Sequence, residues 1–235
     1  MKIESVDFFY LSMPEVLDIG DGSQDALLVR IAAGGFVGYG ECEAAPLPSI
    51  AAYVCPMSHS ACKPLRASVE GQAIDDVKDI LRIGDLVRQN SFDLLQADHT
   101  LSGIDMALWD LLGKRLSEPV YRLLGYPQAY PKLPYASQLF GDAPGETFHK
   151  AVDAIQKGFR AVKLGWGPFG KSTLEADERQ LEAARLGLGA EAHLMVDVGM
   201  VWGEDVEQAA QRLPALKAAE VTWLEEPFPG GALSA

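Results

Sequence analysis

The feature that most constrains this chain is the alternation that sets in after Lys132, where short apolar β runs and amphipathic helical stretches take turns in units of about 30 residues. Leu133 to Gln138, Phe159 to Leu164, His193 to Val198 and Val221 to Glu225 read as strands. Between them Phe148, Val152 and Ile155, and later Val206, Ala210 and Leu213, recur at helical spacing. Strands separated by helices require a parallel sheet with crossover connections, because parallel neighbours cannot be joined by a tight turn. An open doubly wound sheet and a barrel both satisfy that pattern.

In either architecture the groups that do chemistry sit at the carboxyl ends of the strands. The polar residues ending the apolar runs are Lys163, Asp197 and Glu225. Two carboxylates at one mouth suit a hard divalent cation, and an ammonium beside them can face an anionic substrate. Taken singly, each is equally a strand-end residue in a structural ion pair. A second enzymatic reading makes Asp197 and Glu225 the acid–base pair of a glycosidase, which needs the carboxyls roughly 5–10 Å apart without a metal between them. Lys163 on the preceding strand is less expected there.

Ahead of the repeat, Ile3 to Leu11, Ala26 to Ala32 and Phe36 to Cys42 form an antiparallel meander turning at Gly34-Gly35. The polar loop Asp18 to Gln24 and the Pro-containing segment Ala44 to Leu65 are long enough to be functional. Asp75 to Leu124 is helical, with Val77, Ile80 and Leu81 on one face and Ile104, Leu108, Leu111 and Leu112 on another. Gly35, Gly38 and Gly40 fail the dinucleotide-binding spacing and read as glycines at tight spots in a hairpin strand. Cys55, His59 and Cys62 lack a fourth ligand and read as packing within a loop.

The chain carries 20 Lys+Arg against 33 Asp+Glu, a net charge of −13, which argues against nucleic acid or an anionic membrane as partner. An acidic protein with an anionic substrate needs a cation between them, which again points to a bound metal. The N-terminus lacks a basic stretch leading into an apolar run, and no segment approaches the length of a membrane span, so the expected location is the cytoplasm with Cys42, Cys55 and Cys62 reduced.

Ser102-Gly-Ile-Asp-Met-Ala-Leu-Trp-Asp-Leu-Leu-Gly-Lys114, followed by Pro119-Val-Tyr-Arg-Leu-Leu-Gly125, resembles the signature of the mandelate racemase/muconate lactonising group of the enolase superfamily. Gly38-Tyr-Gly-Glu41, Gly158-Phe-Arg-Ala-Val-Lys163, Val196-Asp197 and Trp223-Leu-Glu-Glu-Pro227 are similar to the same family in the same order. The resemblance implies an α+β capping domain over residues 1–125, with lid loops near Leu17 to Gln24 and Ala44 to Leu65. Residues 126–235 would then be the first half of a modified TIM (β/α) barrel, truncated after the fourth strand. It implies Mg²⁺ bound by Asp197 and Glu225, with Glu226 supporting and Lys163 flanking the substrate carboxylate. The shared step is abstraction of the proton α to a carboxylate, giving an enediolate whose charge needs cationic neighbours.

Two positions depart from the family pattern. The second lysine of its Lys-x-Lys pair, usually a base, is replaced by Gly165, and the residue two after the first metal ligand, often Asn, is Gly199. A one-base enzyme suits dehydration or cycloisomerisation of an acid sugar better than racemisation through two lysines, so acid-sugar dehydratase ranks first, with cycloisomerase and then racemase behind. A barrel of this type takes roughly 250 residues, and Lys132 to Ala235 is under half of that. A longer gene product is therefore expected, a homo-oligomer in its full-length form, with a third acidic ligand and the general base beyond residue 235. An inactive fragment or a partner-binding half-barrel is the competing reading.

Overall fold

The computed structural model describes residues 1–18, 23–42 and 45–231, and the chain divides into two compact units, Met1–Tyr130 and Pro131–Ala235. In the first, β1 (Ile3–Leu11), β2 (Ala26–Ala33) and β3 (Phe36–Cys42) form an antiparallel sheet in that order. Strict alternation in β2 sends Leu27, Val29, Ile31 and Ala33 to one buried face. The helices α1 (Pro46–Val54), α2 (Arg66–Val69), α3 (Val77–Asn90), α4 (Ala97–Leu116) and α5 (Val120–Leu123) follow. From α4, Ile104, Leu108, Leu111 and Leu112 are buried in the same core, as expected.

What lets α4 lie against β3 is the absence of side chains. A Cβ at Gly38 would stand 2.0 Å from the Ala107 carbonyl oxygen, and one at Gly40 would stand 2.1 Å from that of Gly103. These are the tight spots inferred for the hairpin strand, and the tightness comes from a helix crossing the sheet. Helix α3 starts on a capping box in which Asp76 accepts from the Lys78 and Asp79 amides.

Two expectations change in this unit. The segment 44–65 is no continuous loop, because α1 occupies Pro46–Val54 with a proline in its first turn, where no backbone donor is needed. On α3 the buried stripe is Ile80, Ile83 and Val87, while Leu81 is 59% exposed. Residues 19–22 of the first expected lid and residues 43–44 beside the second lie outside the described residues.

In the second unit β4 (Ala136–Leu139), β5 (Ala161–Gly165), β6 (His193–Asp197) and β7 (Val221–Glu225) form one parallel sheet in sequential order. Helices α6 (Pro144–Gln156), α7 (Leu174–Leu188) and α8 (Val206–Ala218) connect them. Among the described residues no strand of this sheet is skipped and the direction of winding does not reverse, so these four strands hold no switch point of a doubly wound sheet. The winding is that of a (β/α) barrel, and four strands are half of the eight that close one. Val162, Leu164, Leu194 and Val196 are buried in one core with Ala151 and Ala154 of α6, Leu181 and Ala184 of α7 and Leu216 of α8.

The helix faces differ from those expected. On α6 the fully buried residues are Thr147, Ala151 and Ala154, with Phe148, Val152 and Ile155 half-buried at the flank. On α8 the inward residues are Arg212 and Leu216, while Val206 and Leu213 are each 46% exposed. The first barrel strand starts at Ala136, later than expected, and β5 runs on to Gly165. Lys163 thus lies two residues inside its strand instead of ending it. Residues 232–235 of the tail lie outside the described residues, and among those described no helix is long and apolar enough to cross a membrane.

Candidate active site

Parallel register sets Gly165, Asp197 and Glu225 side by side across the ends of β5, β6 and β7. Side chains alternate along a strand, so Lys163 shares the face of Gly165 and its long stem reaches the level of the two carboxylates. The three residues named from the sequence are therefore brought together. Lys163 Nζ donates to Asp197 Oδ2 at 3.1 Å and to Glu225 Oε1 at 2.8 Å. Side-chain exposure is 13% for Lys163, 11% for Asp197 and 34% for Glu225, so the cluster is largely shielded but open on the Glu225 side.

Burial alone would pull the Lys163 pKa down, but the hydrogen bonds to Glu225 and Asp197 and the charge of both outweigh it and hold the ammonium above the ordinary lysine range. The same contact holds the Glu225 carboxyl below the ordinary range against its own partial burial. In this arrangement Lys163 is a fixed positive charge and no proton acceptor. Glu225 is likewise shifted away from what a glycosidase's general acid requires, a carboxyl whose pKa is raised.

The remaining oxygens of the two carboxylates are engaged by groups that the strand-end reading did not single out. Asp197 Oδ1 accepts from the Gly199 amide at 3.1 Å, and Glu225 Oε2 accepts from Trp223 Nε1 at 3.2 Å. The Tyr135 ring lies 5.8 Å from Lys163 Nζ and meets Trp223 edge-on at 6.0 Å. Period two already places Trp223 on the face of Glu225, so that much could have been found. Glu226 is exposed, and its backbone carbonyl accepts from the Met200 amide at 2.7 Å.

Gly165 and Gly199 both acquire a geometric meaning. A Cβ at Gly165 would stand 3.0 Å from Asp197 Cβ and 3.0 Å from its carbonyl oxygen, so a side chain there presses on Asp197. Gly199 has φ +52°, and a Cβ on it would fall 2.9 Å from the Trp166 indole. Trp166, Met200 and Glu226 take φ of 56°, 60° and 48° just past the ends of β5, β6 and β7. Left-handed backbone at side-chain-bearing residues is costly and gathers where surrounding structure holds it in place.

Four hard carboxylate oxygens, each retaining lone-pair capacity beyond its present partner, fit a divalent cation such as Mg²⁺ in donor type. Among the described residues no group of three or more His, Cys, Asp or Glu is placed to hold a metal ion. Of the other motif considered, His59 Nε2 lies 3.0 Å from Asp93 Oδ2 and Cys55 Sγ is directed at the Ala52 carbonyl, 3.8 Å away.

Known proteins share both of these domains. Residues 12–125 match the mandelate racemase/muconate lactonizing enzyme N-terminal domain, and residues 146–235 match the enolase C-terminal domain-like family. A crystal structure described as a predicted mandelate racemase from Rhodobacter sphaeroides superposes with a TM-score of 0.93 at 65% identity, covering 99% of this chain and 59% of that one. The N-succinyl-L-Arg/Lys racemase of Bacillus cereus is 25% identical over 236 residues, 97% of this chain and 60% of its own length. The 3,6-anhydro-alpha-L-galactonate cycloisomerase of Streptomyces coelicolor is 34% identical over 133 residues, 56% of this chain and 35% of its own. The chain thus spans about 60% of the length of the relatives it matches end to end.

Proposed function

The chain belongs to the mandelate racemase/muconate lactonising group of the enolase superfamily, and from that premise we propose that the whole protein is a Mg²⁺-dependent acid-sugar dehydratase. It removes the proton α to the substrate carboxylate and expels the β-hydroxyl. The observation that carries this reading is the Lys163 ammonium held between Asp197 and Glu225 at a strand-end mouth. Asp197 and Glu225 are the residues that would hold the metal, with Glu226 in support. Bound Mg²⁺ would supply positive charge against the second negative charge that builds up on the substrate carboxylate as the α-proton leaves.

Lys163 binds and orients the substrate carboxylate as an ammonium. Gly165 leaves that position without a proton acceptor, so a base on another part of the full-length protein takes the α-proton. Two-lysine racemisation does not suit this chain for the same reason. The Streptomyces relative favours a second reading, cycloisomerisation, in which the group expelled from the β-carbon is a ring ether oxygen that stays on the product. A cytoplasmic homo-oligomer is the expected setting, and the three free thiols suit a reducing compartment.

The test is exchange of the α-proton in D₂O across a panel of acid sugars, with Mg²⁺ and with chelator. Exchange is expected only with Mg²⁺ and is expected to vanish in Asp197→Asn; undiminished turnover in that variant would refute the metal role. A product one water lighter than the substrate supports dehydration, and an isomer of equal mass supports cycloisomerisation.

A further inference from the structure

We propose that Asp177 and Arg212 are positioning residues, a buried clasp that fixes the loops following β5 and β6 and thereby aims Asp197. Arg212 Nε donates to Asp177 Oδ2 at 2.8 Å, with side chains only 5% and 2% exposed. The second oxygen, Asp177 Oδ1, accepts from the Gly170 amide at 2.9 Å. The Arg212 guanidinium lies 5.1 Å from the Trp202 ring centre, and Trp202 Nε1 donates to the Gly170 carbonyl at 3.2 Å. Both polar groups of the Gly170 backbone, in the loop after β5, are thus gripped by side chains of α7 and of the loop after β6.

One helical turn along α7, Gln180 closes a similar grip on the loop after β4. Thr147 Oγ1 donates to Gln180 Oε1 at 2.6 Å and accepts from the Gly141 amide at 2.9 Å. Gln180 Nε2 then donates to the Gly141 carbonyl at 3.0 Å. The inner face of one helix therefore anchors the exits of two strands and, through Arg212 and Trp202, reaches the exit of a third.

Those exits carry the groups that orient Asp197. The Trp166 amide, four residues before Gly170, donates to the Asp197 carbonyl at 3.0 Å. Its indole packs where a side chain on Gly199 would be, and the Gly199 amide binds Asp197 Oδ1 at 3.1 Å. Stability alone is a poor reason to bury the pair, since well-packed apolar residues commonly do as well. On α8 Val206 and Leu213 are left outside while the guanidinium is turned in. Geometric precision is what hydrogen-bonded charges provide and an apolar contact does not.

This inference rests on the proposed function only for its effect on turnover. The test compares the enzyme as its complete gene encodes it with the charge-free double variant Asp177→Leu/Arg212→Met and with Trp202→Phe, which removes the donor to Gly170 and leaves a smaller ring against Arg212. Readouts are melting temperature, hydrogen exchange of peptides spanning 166–172 and 198–203, Mg²⁺ affinity by calorimetry, and kcat separately from KM. The double variant is expected to melt near wild type, yet exchange faster in both segments, bind Mg²⁺ about 10-fold more weakly and lose kcat more than KM. Trp202→Phe, checked for folding by its melting temperature, is expected to shift the same readouts in the same direction by a smaller factor. Wild-type exchange and Mg²⁺ affinity in folded variants would overturn the proposal. If the wild-type protein binds no Mg²⁺, the proposed function fails, and the exchange rates alone decide the clasp.

Discussion

Replacing Lys163 with Met keeps the stem and deletes the charge that two carboxylates share. What remains is Asp197, nearly buried, and Glu225, two-thirds buried, each having lost a charged hydrogen-bond partner at 3.1 and 2.8 Å. Breaking a fully buried ion pair costs about 3–5 kcal/mol. The exposure of Glu225 lets water take up part of its charge, so about 2–3 kcal/mol is the expected loss at neutral pH. For a cooperative unit of about 150–250 residues that corresponds to a melting temperature lower by roughly 4–12 °C in chelator.

The pH dependence carries a definite sign. Glu225 titrates below its ordinary range in the folded protein, so its contribution is present above the unfolded carboxylate pKa and disappears as pH falls through the folded value. The variant has no such contribution, and the gap between wild type and Lys163→Met should close on acidification. Lys163 titrates above its ordinary range, so its share is complete below the unfolded lysine pKa and is lost only as pH rises through the higher folded value, above the neutral range. Mg²⁺ should restore more stability to the variant than it adds to wild type, because the cation takes over the missing charge. Differential scanning calorimetry between pH 3.5 and 8, with and without Mg²⁺, measures all of this; equal melting temperatures at pH 7 in chelator would refute the reasoning, as would a gap that widens in acid.

Gly40→Ala forces a methyl group to 2.1 Å from the Gly103 carbonyl oxygen, so β3 and α4 must separate. A loss of about 1–3 kcal/mol by denaturant titration is expected, without change in Mg²⁺ affinity. Thr173→Ala removes the side chain that accepts from the Ala176 amide at the start of α7, and about 1 kcal/mol should be lost in the same titration. Gly165→Ala pushes on Asp197 and is expected to weaken Mg²⁺ binding measured by calorimetry, with the melting temperature in chelator changed less than in Gly40→Ala.

Much of the fold was legible in local pattern. The three strands of the meander and β7 match the expected limits to within a residue, because alternation and turn glycines are properties of a few adjacent positions. The strand-end rule singled out Lys163, Asp197 and Glu225 as candidates because parallel strands carry their ends to one edge, and the structure brings the three together through one ammonium. Where the rule failed it failed by small amounts with large consequences. Lys163 is inside its strand, and it reaches the carboxylates through its length.

Hydrophobic periodicity misjudged α8 for a different reason. Counting apolar residues puts Val206, Ala210 and Leu213 inward, yet the helix turns Arg212 to the core because Asp177, on another helix, is there to meet it. No local signal announces a buried charge whose partner stands 35 positions away. Gly38 and Gly40 read as tight spots and Gly165 as a missing lysine, but what each glycine makes room for shows only once α4 and Asp197 are seen beside them.

The sequence by itself determined the order of the strands, the family signature and which residue types stand at the strand ends, since each is set by short-range pattern. Tertiary structure alone decided the winding of the sheet, the sharing of one ammonium by two carboxylates and the inward turn of Arg212. Those depend on contacts between residues far apart in the chain, where burial makes an unpaired charge too costly to leave and the fold must supply its partner.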